Sequence, residues 1–459
     1  MDRQDEGPPN APQKIFFQPD AILVPDSDVE DGLRIVWGDG ILCQNDRIEQ
    51  IGPKEEVEGL ETARIIRLRD RILVPGTINA HNHSFQSLLR GVADDRPFLV
   101  WRDEALYRYA PHLGTEGVYT GALLAFAEMA RMGVTTVCDF FYVHGQGIET
   151  DLAVIQAARD VGIRLVLART FYDWDGAPDC FRETPDEAEQ AFRELHTMFS
   201  SAPDVSILPA PHSPHGASAE MIQRGAGIAV ELGLPWHLHL AEELFEVDAI
   251  REQSGTTPVG YLQQLGCLNE NLCIVHGVYL PDEDLSALGQ VGAGVLHCPS
   301  SNMFLGDGAA PLRQMIAKGM RGALGSDGGC SNNRVSVFEE MRMTALLQKV
   351  IATDGSAFDA PTAFRLGTEG GADLCGLEAG RIEVGRLADF VALDLSDLSM
   401  QPDVHLLRNI VYALQPTAIS EVFVGAKPIV QDHGLTRVRE QDVRARVAET
   451  AKRIGLQSV

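Results

Sequence analysis

Two kinds of hydrophobic pattern divide the chain into a central part and two terminal parts. From about Ile15 to Val74, short β-type runs such as AILVP, LRIVWGDGILC and RIEQIG are interrupted by Gly, Asp and Asn, which favour turns. After about Leu377, similar runs return in GRIEVGRLADFVALDL and ISEVFVGAKPIVQDHG. Because the two parts match in character, we expect them to pair into one small β-sandwich.

In the central part, short apolar runs alternate with segments of helical period. Eight apolar runs are typical of strands: GTINAHNH, TTVCDFFYVH, RLVLARTFY, VSILPAPHSPH, LPWHLHLAEE, LCIVHGVYL, AGVLHCPSSN and GALGSDGG. The helical segments between them mostly end at Gly, as helices often do. This alternation predicts an α/β fold, a (β/α)₈ TIM-like barrel. The predicted domains are the barrel at 75–376 and the two parts of the β-sandwich at 1–74 and 377–459, the second with a C-terminal helix.

The composition restricts the partners. Apolar residues make up 45% and charged residues 22% of the chain, as in a globular protein. The formal net charge of −27 repels phosphate backbones and anionic lipid heads. We therefore expect a small-molecule substrate, with no nucleic acid and no membrane as a partner. The eight cysteines form no CxxC pair, which favours a reduced, cytoplasmic enzyme.

Polar residues recur where the predicted strands end, and the active site of such a barrel lies at those ends. The first strand ends in His81 and His83, whose side chains point the same way because they are two residues apart. Imidazole is a common metal ligand. On its own, this HxH pattern fits a surface or core pair as well as it fits a metal site.

Three later strands carry similar residues. The fifth contains His237 and His239, with Glu242 three residues further on; the sixth ends in His276 and the eighth in Asp327. Spacing alone does not choose between His237 and His239, since both lie on one face, and a packed, hydrogen-bonded role is the more common one for His237. Histidines and an aspartate at four strand ends would meet at one rim, which predicts a site for a divalent transition metal.

The motifs PGTINAHNH, HLAE, CIVHG, HCPSSN and LGSDGG, with the late GRIEVGRLADFVALDL, resemble the amidohydrolase superfamily. The similar branch contains cytosine, guanine and S-adenosylhomocysteine deaminases, triazine hydrolases and formiminoglutamate deiminases. The resemblance implies four metal ligands: His81, His83, His239 and Asp327. It favours His239 over His237, because the family glutamate follows its ligand histidine by three residues.

The same resemblance implies the catalytic roles. Glu242 would shuttle protons, His276 would contact the water or the substrate, and Asp327 would also take a proton from the water. One divalent cation would acidify that water; zinc is expected first, with iron or manganese as alternatives. Barrels of this type often form homo-oligomers, so a dimer or tetramer is expected.

Five further residues are candidate substrate contacts. Gln86 follows the HxH by three residues, and Trp101 lies in the long first loop, where it would stack on a planar ring or pack within the loop. Tyr142, Arg169 and His212 stand at the ends of the second, third and fourth strands. Arg169 would pair with a carboxylate or ring carbonyl, or form a purely structural ion pair.

Two sets of relatives compete for the substrate. LLRGVADD, PHSP and SDGGCSNN are similar to S-adenosylhomocysteine and methylthioadenosine deaminases, whereas HSFQ, WRDEALYRY and HLHLAEELFEVDAI are similar to formiminoglutamate deiminases. His215 stands where the second set has a carboxylate-binding arginine, and Ala110 stands near the place where the first set has an acidic residue for ribose hydroxyls.

We predict a hydrolytic deaminase that releases ammonia from an amino-substituted N-heterocycle such as a purine, a pterin or an adenosine thioether. The alternatives are a deiminase of an acyclic formimino compound, a triazine-type chlorohydrolase and an inactive scaffold of the same fold. The fourth strand, ILPAPHSPH, contains no lysine of the kind that bridges two metals in related hydrolases, which disfavours a dinuclear centre. Glu242 favours loss of ammonia, because that leaving group needs a proton.

Overall fold

Eight parallel strands build the central barrel in the computed structural model, which describes residues 14–29 and 31–456. They are β6 (Thr77–Asn82), β7 (Val134–Phe141), β9 (Arg164–Phe171), β10 (Val205–Pro211), β11 (Trp236–Leu240), β12 (Leu272–His276), β13 (Gly294–His297) and β14 (Arg321–Leu324). A further short strand, β8 (Gly145–Gly147), follows β7. Each barrel strand coincides with one of the eight predicted strands, so the predicted barrel is confirmed.

The barrel consists of two hydrogen-bonded halves, β6–β7–β9–β10 and β11–β12–β13–β14. Backbone hydrogen bonds also cross the two seams between the halves. The His239 amide donates to the His212 carbonyl at 3.0 Å, and the Asp327 amide donates to the His81 carbonyl at 3.0 Å. Both bonds lie at the carboxyl ends of the strands, so closure of the barrel brings the candidate site residues together.

Helices connect the strands. They are α1 (Phe98–Trp101), α2 (Gly114–Arg131), α3 (Ile148–Val161), α4 (Pro185–Phe199), α5 (Ala219–Leu232), α6 (Leu244–Ser254), α7 (Pro258–Gln264), α8 (Asp282–Gln290), α9 (Pro299–Leu305), α10 (Leu312–Ala317), α11 (Val337–Ala352), α12 (Ala360–Arg365), α13 (Gly371–Leu374), α14 (Leu406–Tyr412) and α15 (Glu440–Arg453). Helices α3, α5 and α6 end at Gly162, Gly233 and Gly255, each with a positive φ. A left-handed residue at that position ends a helix at little steric cost when it is glycine.

The two terminal parts of the chain share one nine-stranded sheet. Its strands are β1 (Lys14–Pro25), β2 (Leu33–Trp37), β3 (Asp39–Gln44), β4 (Arg47–Pro53), β5 (Arg64–Pro75), β15 (Phe390–Asp394), β16 (Ile419–Val424), β17 (Lys427–Gln431) and β18 (Gly434–Leu435). Strand β5 pairs in parallel with β1 and antiparallel with β15. The expected pairing of the two terminal parts is therefore confirmed.

This sheet curls over its own core. Phe17 on β1 and Phe423 on β16 lie three strand positions apart, which is about 14 Å in a flat sheet, yet their ring centroids are 5.0 Å apart. The register of β1 against β5 also shifts between Pro19 and Ala21, the kind of irregularity at which strands bend. Phe17, Phe390 and Phe423 belong to one buried apolar cluster. The β-sandwich itself stays a prediction.

The C-terminal helix packs on the barrel. The Thr450 hydroxyl of α15 hydrogen-bonds to that of Thr120 on α2 at 3.2 Å, and Arg453 forms an ion pair with Glu116 at 2.9 Å. The domain boundaries expected at 74/75 and 376/377 stay predictions. Within the described residues, we find no helix with the length and apolar character needed to cross a membrane.

Candidate active site

Three imidazoles converge at the carboxyl end of the barrel. His83 donates through Nδ1 to the Phe140 carbonyl at 2.6 Å, and His239 donates through Nδ1 to the His212 carbonyl at 2.9 Å. A backbone carbonyl at Nδ1 fixes the tautomer, so Nε2 of each ring carries a free lone pair. The Nε2 atoms of His239 and His81 are 3.2 Å apart. Two lone pairs this close repel each other unless a cation or proton lies between them.

Asp327 completes this group. Its Oδ1 atom lies 3.4 Å from His81 Nε2 and 3.2 Å from His83 Nε2. In a tetrahedral zinc site with bonds of about 2.0–2.1 Å, neighbouring ligand atoms are about 3.3–3.4 Å apart. The separations of His81 from His239 and of Asp327 from His81 and His83 match that spacing. Two groups of donors lie close enough together to hold a cation: His81, His83 and His239, and His81, His276 and Asp327.

The backbone is strained where the site residues leave the strands. His276 and Asp327 adopt φ values of 71° and 58°, and Ala241, next to Glu242, adopts 53°. Residues with a side chain rarely occupy this left-handed region, and such strain is concentrated at functional sites. The three residues stand at or just after the ends of β11, β12 and β14, where the candidate site residues leave the barrel.

Burial sets the charge of these groups. It lowers the pKa of His81 to about 3 and that of His276 to about 4. Burial and the neighbouring imidazoles hold the pKa of His239 well below its ordinary value. Burial alone would raise the pKa of Asp327, but the imidazoles of His81 and His83 hold it well below the usual range. The site therefore offers neutral imidazoles and a carboxylate, the protonation states that metal ligands require.

Glu242 lies beside this cluster without belonging to it. Its Oε1 atom is 3.4 Å from Nε2 of His276. Burial, and then the nearby carboxylates of Asp307 and Glu246, raise the pKa of Glu242 well above its ordinary value. A raised pKa favours the protonated form of this carboxyl group, the form in which a general acid donates its proton.

Asn302 determines which nitrogen of His276 carries the hydrogen. Its Nδ2 atom lies 3.1 Å from His276 Nδ1 and 3.1 Å from Asp307 Oδ2. An amide NH₂ that donates to both makes Nδ1 of His276 an acceptor, which places the ring hydrogen on Nε2. His276 thus presents an N–H donor towards Glu242 and the space above the cluster.

A cavity opens above the cluster and encloses about 680 Å³ of empty space, including its mouth. Gln86, Trp101, Tyr142 and His212 all line it, as predicted for substrate contacts. Gln86 donates to the Tyr142 hydroxyl at 2.8 Å, and the indole of Trp101 donates to the Cys330 carbonyl at 2.8 Å. These bonds hold the side chains in place at the cavity wall. Their roles towards a substrate stay predictions.

His212 is held between a ring and a hydroxyl. It stacks on Tyr172 with centroids 4.1 Å apart, and its Nδ1 atom lies 2.9 Å from Ser213 Oγ. The same hydroxyl oxygen accepts from the Gly216 amide at 2.9 Å and lies 3.4 Å from His215 Nε2. Ser213 therefore links the two imidazoles at this side of the cavity.

Arg169 does not reach the cavity. Its guanidinium is fully buried, makes two hydrogen bonds of 2.7 and 2.9 Å to Glu183, and lies 3.5 Å from Asp151 of α3. The side chain therefore leaves β9 on the helix side of the barrel rather than on the inside. The predicted substrate contact is replaced by the structural ion pair that was its alternative.

His237 lies deeper in the barrel than His239. Its Nε2 atom is 3.1 Å from the Leu374 carbonyl, and its Nδ1 atom is 3.6 Å from Cys138 Sγ. The ring is completely buried and is not among the converging donors. This geometry matches the packed, hydrogen-bonded role expected for His237.

The sequence reasoning missed several residues that line the cavity. Tyr172 and Phe181 come from the loop after β9, while Phe245 and Glu246 belong to the start of α6. Glu246 accepts from the Glu242 amide at 3.2 Å and lies 3.5 Å from His215 Nδ1. The carboxylate three residues into α6 was the available signal, since a residue there commonly reaches back to the start of its helix.

Comparison with known families gives one match over most of the chain: the model of the amidohydrolase family matches residues 72–429. Among curated proteins, a 5-methylthioadenosine/S-adenosylhomocysteine deaminase of Syntrophobacter fumaroxidans is 32% identical, over 92% of this chain and 95% of the relative. A 5'-deoxyadenosine deaminase of Methanocaldococcus jannaschii is also 32% identical, over 89% of this chain and 95% of the relative.

Solved structures show the same architecture. An adenosine deaminase from Xanthomonas campestris with bound zinc is 30% identical and superposes with a TM-score of 0.87, covering 97% of this chain and 99% of that one. An atrazine chlorohydrolase from Arthrobacter aurescens, complexed with zinc, is 22% identical with a TM-score of 0.86, covering 96% and 100%. The latter likeness concerns the fold alone.

Proposed function

Since the chain belongs to the amidohydrolase family and is a hydrolytic deaminase that acts on carbon–nitrogen bonds, we propose that its substrate is a 6-aminopurine nucleoside. The observation that carries this proposal is the position of Glu242, next to the converging donors but outside them. Relatives named as adenosine-type deaminases, more than 30% identical over about nine-tenths of the chain, support the substrate class.

The proposed cation ligands are His81, His83, His239 and Asp327. Zinc is the proposed ion, because three imidazoles and a carboxylate suit it and a similar structure contains it. Such an ion supplies Lewis acidity, which lowers the pKa of water to about 7 in well-characterised sites.

In the proposed reaction, Glu242 moves the protons. It takes one from the water that attacks C6 of the purine and delivers it to N1. It then transfers the second proton of that water to the amino group, so the C6–N bond breaks with loss of neutral ammonia and a carbonyl remains. His276, with its hydrogen on Nε2, donates to the oxygen on which charge develops. His212, which lines the cavity, contacts the base and fixes its orientation.

Apolar side chains in the cavity wall favour a nucleoside whose sugar carries an apolar group. Its wall includes Phe98, Trp101, Phe181 and Phe245. Arg102 is the one Lys or Arg among the described residues that line it, and its guanidinium already lies 2.8 Å from the Asp103 carboxylate. We therefore propose adenosine, 5'-deoxyadenosine and 5'-methylthioadenosine as better substrates than S-adenosylhomocysteine, whose charged tail would lack a free cation.

Ammonia release tests the proposal. The panel contains these four nucleosides together with guanine, a pterin, a chlorotriazine and formiminoglutamate, each assayed with native protein and with Glu242→Gln as the matched inactive control. We expect release from the first three nucleosides and little from the others. Release from formiminoglutamate alone would favour the acyclic deiminase, and chloride release from the triazine would favour the chlorohydrolase. The cytoplasmic location and the homo-oligomeric state stay predictions.

A further inference from the structure

The two oxygens of the Asp327 carboxylate have different surroundings. Oδ1 faces the imidazoles of His81 and His83 at 3.4 and 3.2 Å. Oδ2 accepts a hydrogen bond from the hydroxyl of Ser301 at 2.6 Å. The hydroxyl of Ser331 lies 2.9 Å from Oδ2 and 3.0 Å from the Gly328 carbonyl, so its hydrogen is shared between these two acceptors. Both serines are buried, with 1% of their surface exposed, so water does not compete for these bonds.

The serines come from two separate segments, the HCPSSN and SDGGCSNN motifs after β13 and β14. One buried carboxylate joins these segments. Glu340 on α11 accepts from the Ser300 amide at 3.1 Å and from Asn332 Nδ2 at 2.9 Å. Ser300 and Asn332 are the immediate neighbours of Ser301 and Ser331, so Glu340 links the two segments that carry the hydroxyls, one through a backbone amide and one through a side chain.

We propose that Ser301 and Ser331 are positioning residues that keep Asp327 as a one-oxygen ligand, and that Glu340 holds the two serines at the spacing this requires. The inference rests on the proposed cation centre. A carboxylate that can turn freely binds a cation through one or both oxygens, whereas two hydroxyl donors on Oδ2 leave only Oδ1 for the cation. Partners of this kind typically change metal affinity by 10–100-fold when they are removed.

The arrangement also gives Asp327 and Glu242 different roles. Oδ2 of Asp327 accepts from the Ser301 hydroxyl and shares that of Ser331, and Oδ1 faces the imidazoles. Of these two carboxylates, Glu242 is the one left to take a proton from water, and its Oε1 faces His276. The structure thus assigns cation binding to Asp327 and proton transfer to Glu242.

The test measures metal binding directly. Metal-free native protein, Ser301→Ala/Ser331→Ala and Glu340→Gln are titrated with Zn²⁺ against a coloured chelator, and their visible spectra are recorded with Co²⁺. Ser200→Ala is the control for the serines, since Ser200 is exposed and its hydroxyl donates to the Thr197 carbonyl at 3.0 Å, away from the cation centre. Glu339→Gln is the control for Glu340, because Glu339 pairs with Arg334 at 2.6 Å instead.

We expect the Zn²⁺ dissociation constant of the double serine variant to rise about 10–100-fold, with a changed Co²⁺ spectrum as the second carboxylate oxygen becomes free. Glu340→Gln should give a smaller rise of about threefold to tenfold, and both controls should stay within about twofold of native protein. If the double variant does not fold, Ser331→Ala alone carries the test, with a rise of about tenfold for one lost charge-assisted hydrogen bond.

Two results would overturn the inference. Folded serine variants that keep the native Zn²⁺ affinity and Co²⁺ spectrum would show that the hydroxyls only fill space. If native protein binds neither Zn²⁺ nor Co²⁺, the proposed cation centre is wrong and this inference fails with it. If native protein and all variants bind both ions equally well, the inference is wrong but the proposed function stands.

Discussion

Replacement of Glu242 by glutamine is the sharpest perturbation of this site. The amide has nearly the same shape, so packing against His276 at 3.4 Å is preserved. The substitution removes the capacity for proton transfer, because an amide neither takes up nor releases a proton near neutral pH. The Glu242 side chain has 8% of its surface exposed, so bulk water is poorly placed to replace its carboxyl group in proton transfer.

The size of the effect follows from the two proton transfers assigned to Glu242. General acid–base catalysis contributes about 10²–10⁴-fold to a rate, which corresponds to about 3–5 kcal/mol of transition-state stabilisation. Both transfers pass through the same carboxyl group, so we expect kcat to fall by at least about 10²-fold. The metal content should stay near that of native protein, since Glu242 is outside the proposed ligand set.

The assay is ammonia release from 5'-methylthioadenosine, with the metal content of each sample measured in parallel. Asp248→Asn is the matched control, because it makes the same carboxylate-to-amide change at an exposed position of α6 and should retain native turnover. A Glu242→Gln protein with native metal content and a kcat within about threefold of native protein would refute the shuttle assignment.

Other predictions concern the centre, the barrel wall and pH. Chelation should abolish activity and added Zn²⁺ should restore it, while His81→Ala should lower metal occupancy in elemental analysis; full activity without metal would contradict both. Arg169→Met leaves the buried Asp151 and Glu183 unpaired and should cost about 3–5 kcal/mol of unfolding free energy; an unchanged melting temperature would contradict that role. Burial lowers the pKa of His297 from 6.5 to about 3, so the unfolded chain binds an extra proton below pH 6.5. The resulting loss of stability, about 2 kcal/mol at pH 5 relative to pH 8, should disappear from the pH dependence of urea unfolding in His297→Gln.

Much of the fold was predictable because its signals are local. Each barrel strand is an apolar run that ends in polar residues, and the structure places all eight where the runs stand. The candidate site was predictable for the same reason, since His81, His83, His276 and Asp327 lie at or just after strand ends. Spacing alone left His237 and His239 open, because residues two apart share a face and differ only in depth.

The sequence did not reveal the direction in which one side chain leaves its strand, nor the contacts between residues that are far apart along the chain. Every residue of β9 is buried, since its two faces pack against the barrel interior and the surrounding helices, so burial gives no alternation from which to orient Arg169. The hydrogen bond from the Glu242 amide to Glu246 was not predicted, because it depends on where α6 begins and the sequence analysis considered only the strand ends. Ser301 and Ser331 meet Asp327 only after β13 and β14 are adjacent, which no local pattern reveals.

The pairing of β5 with β15 has a consequence for synthesis of the chain. The ribosome makes β5 before the barrel and β15 after it, so roughly tens of seconds pass at ordinary elongation rates before the partner strand emerges. During that interval the edge of β5 that will face β15, including the apolar residues Ile72 to Val74, has no strand beside it. An open apolar edge promotes association between nascent chains. Truncation before Phe390 is therefore expected to yield aggregates or degradation products rather than a stable, isolated barrel.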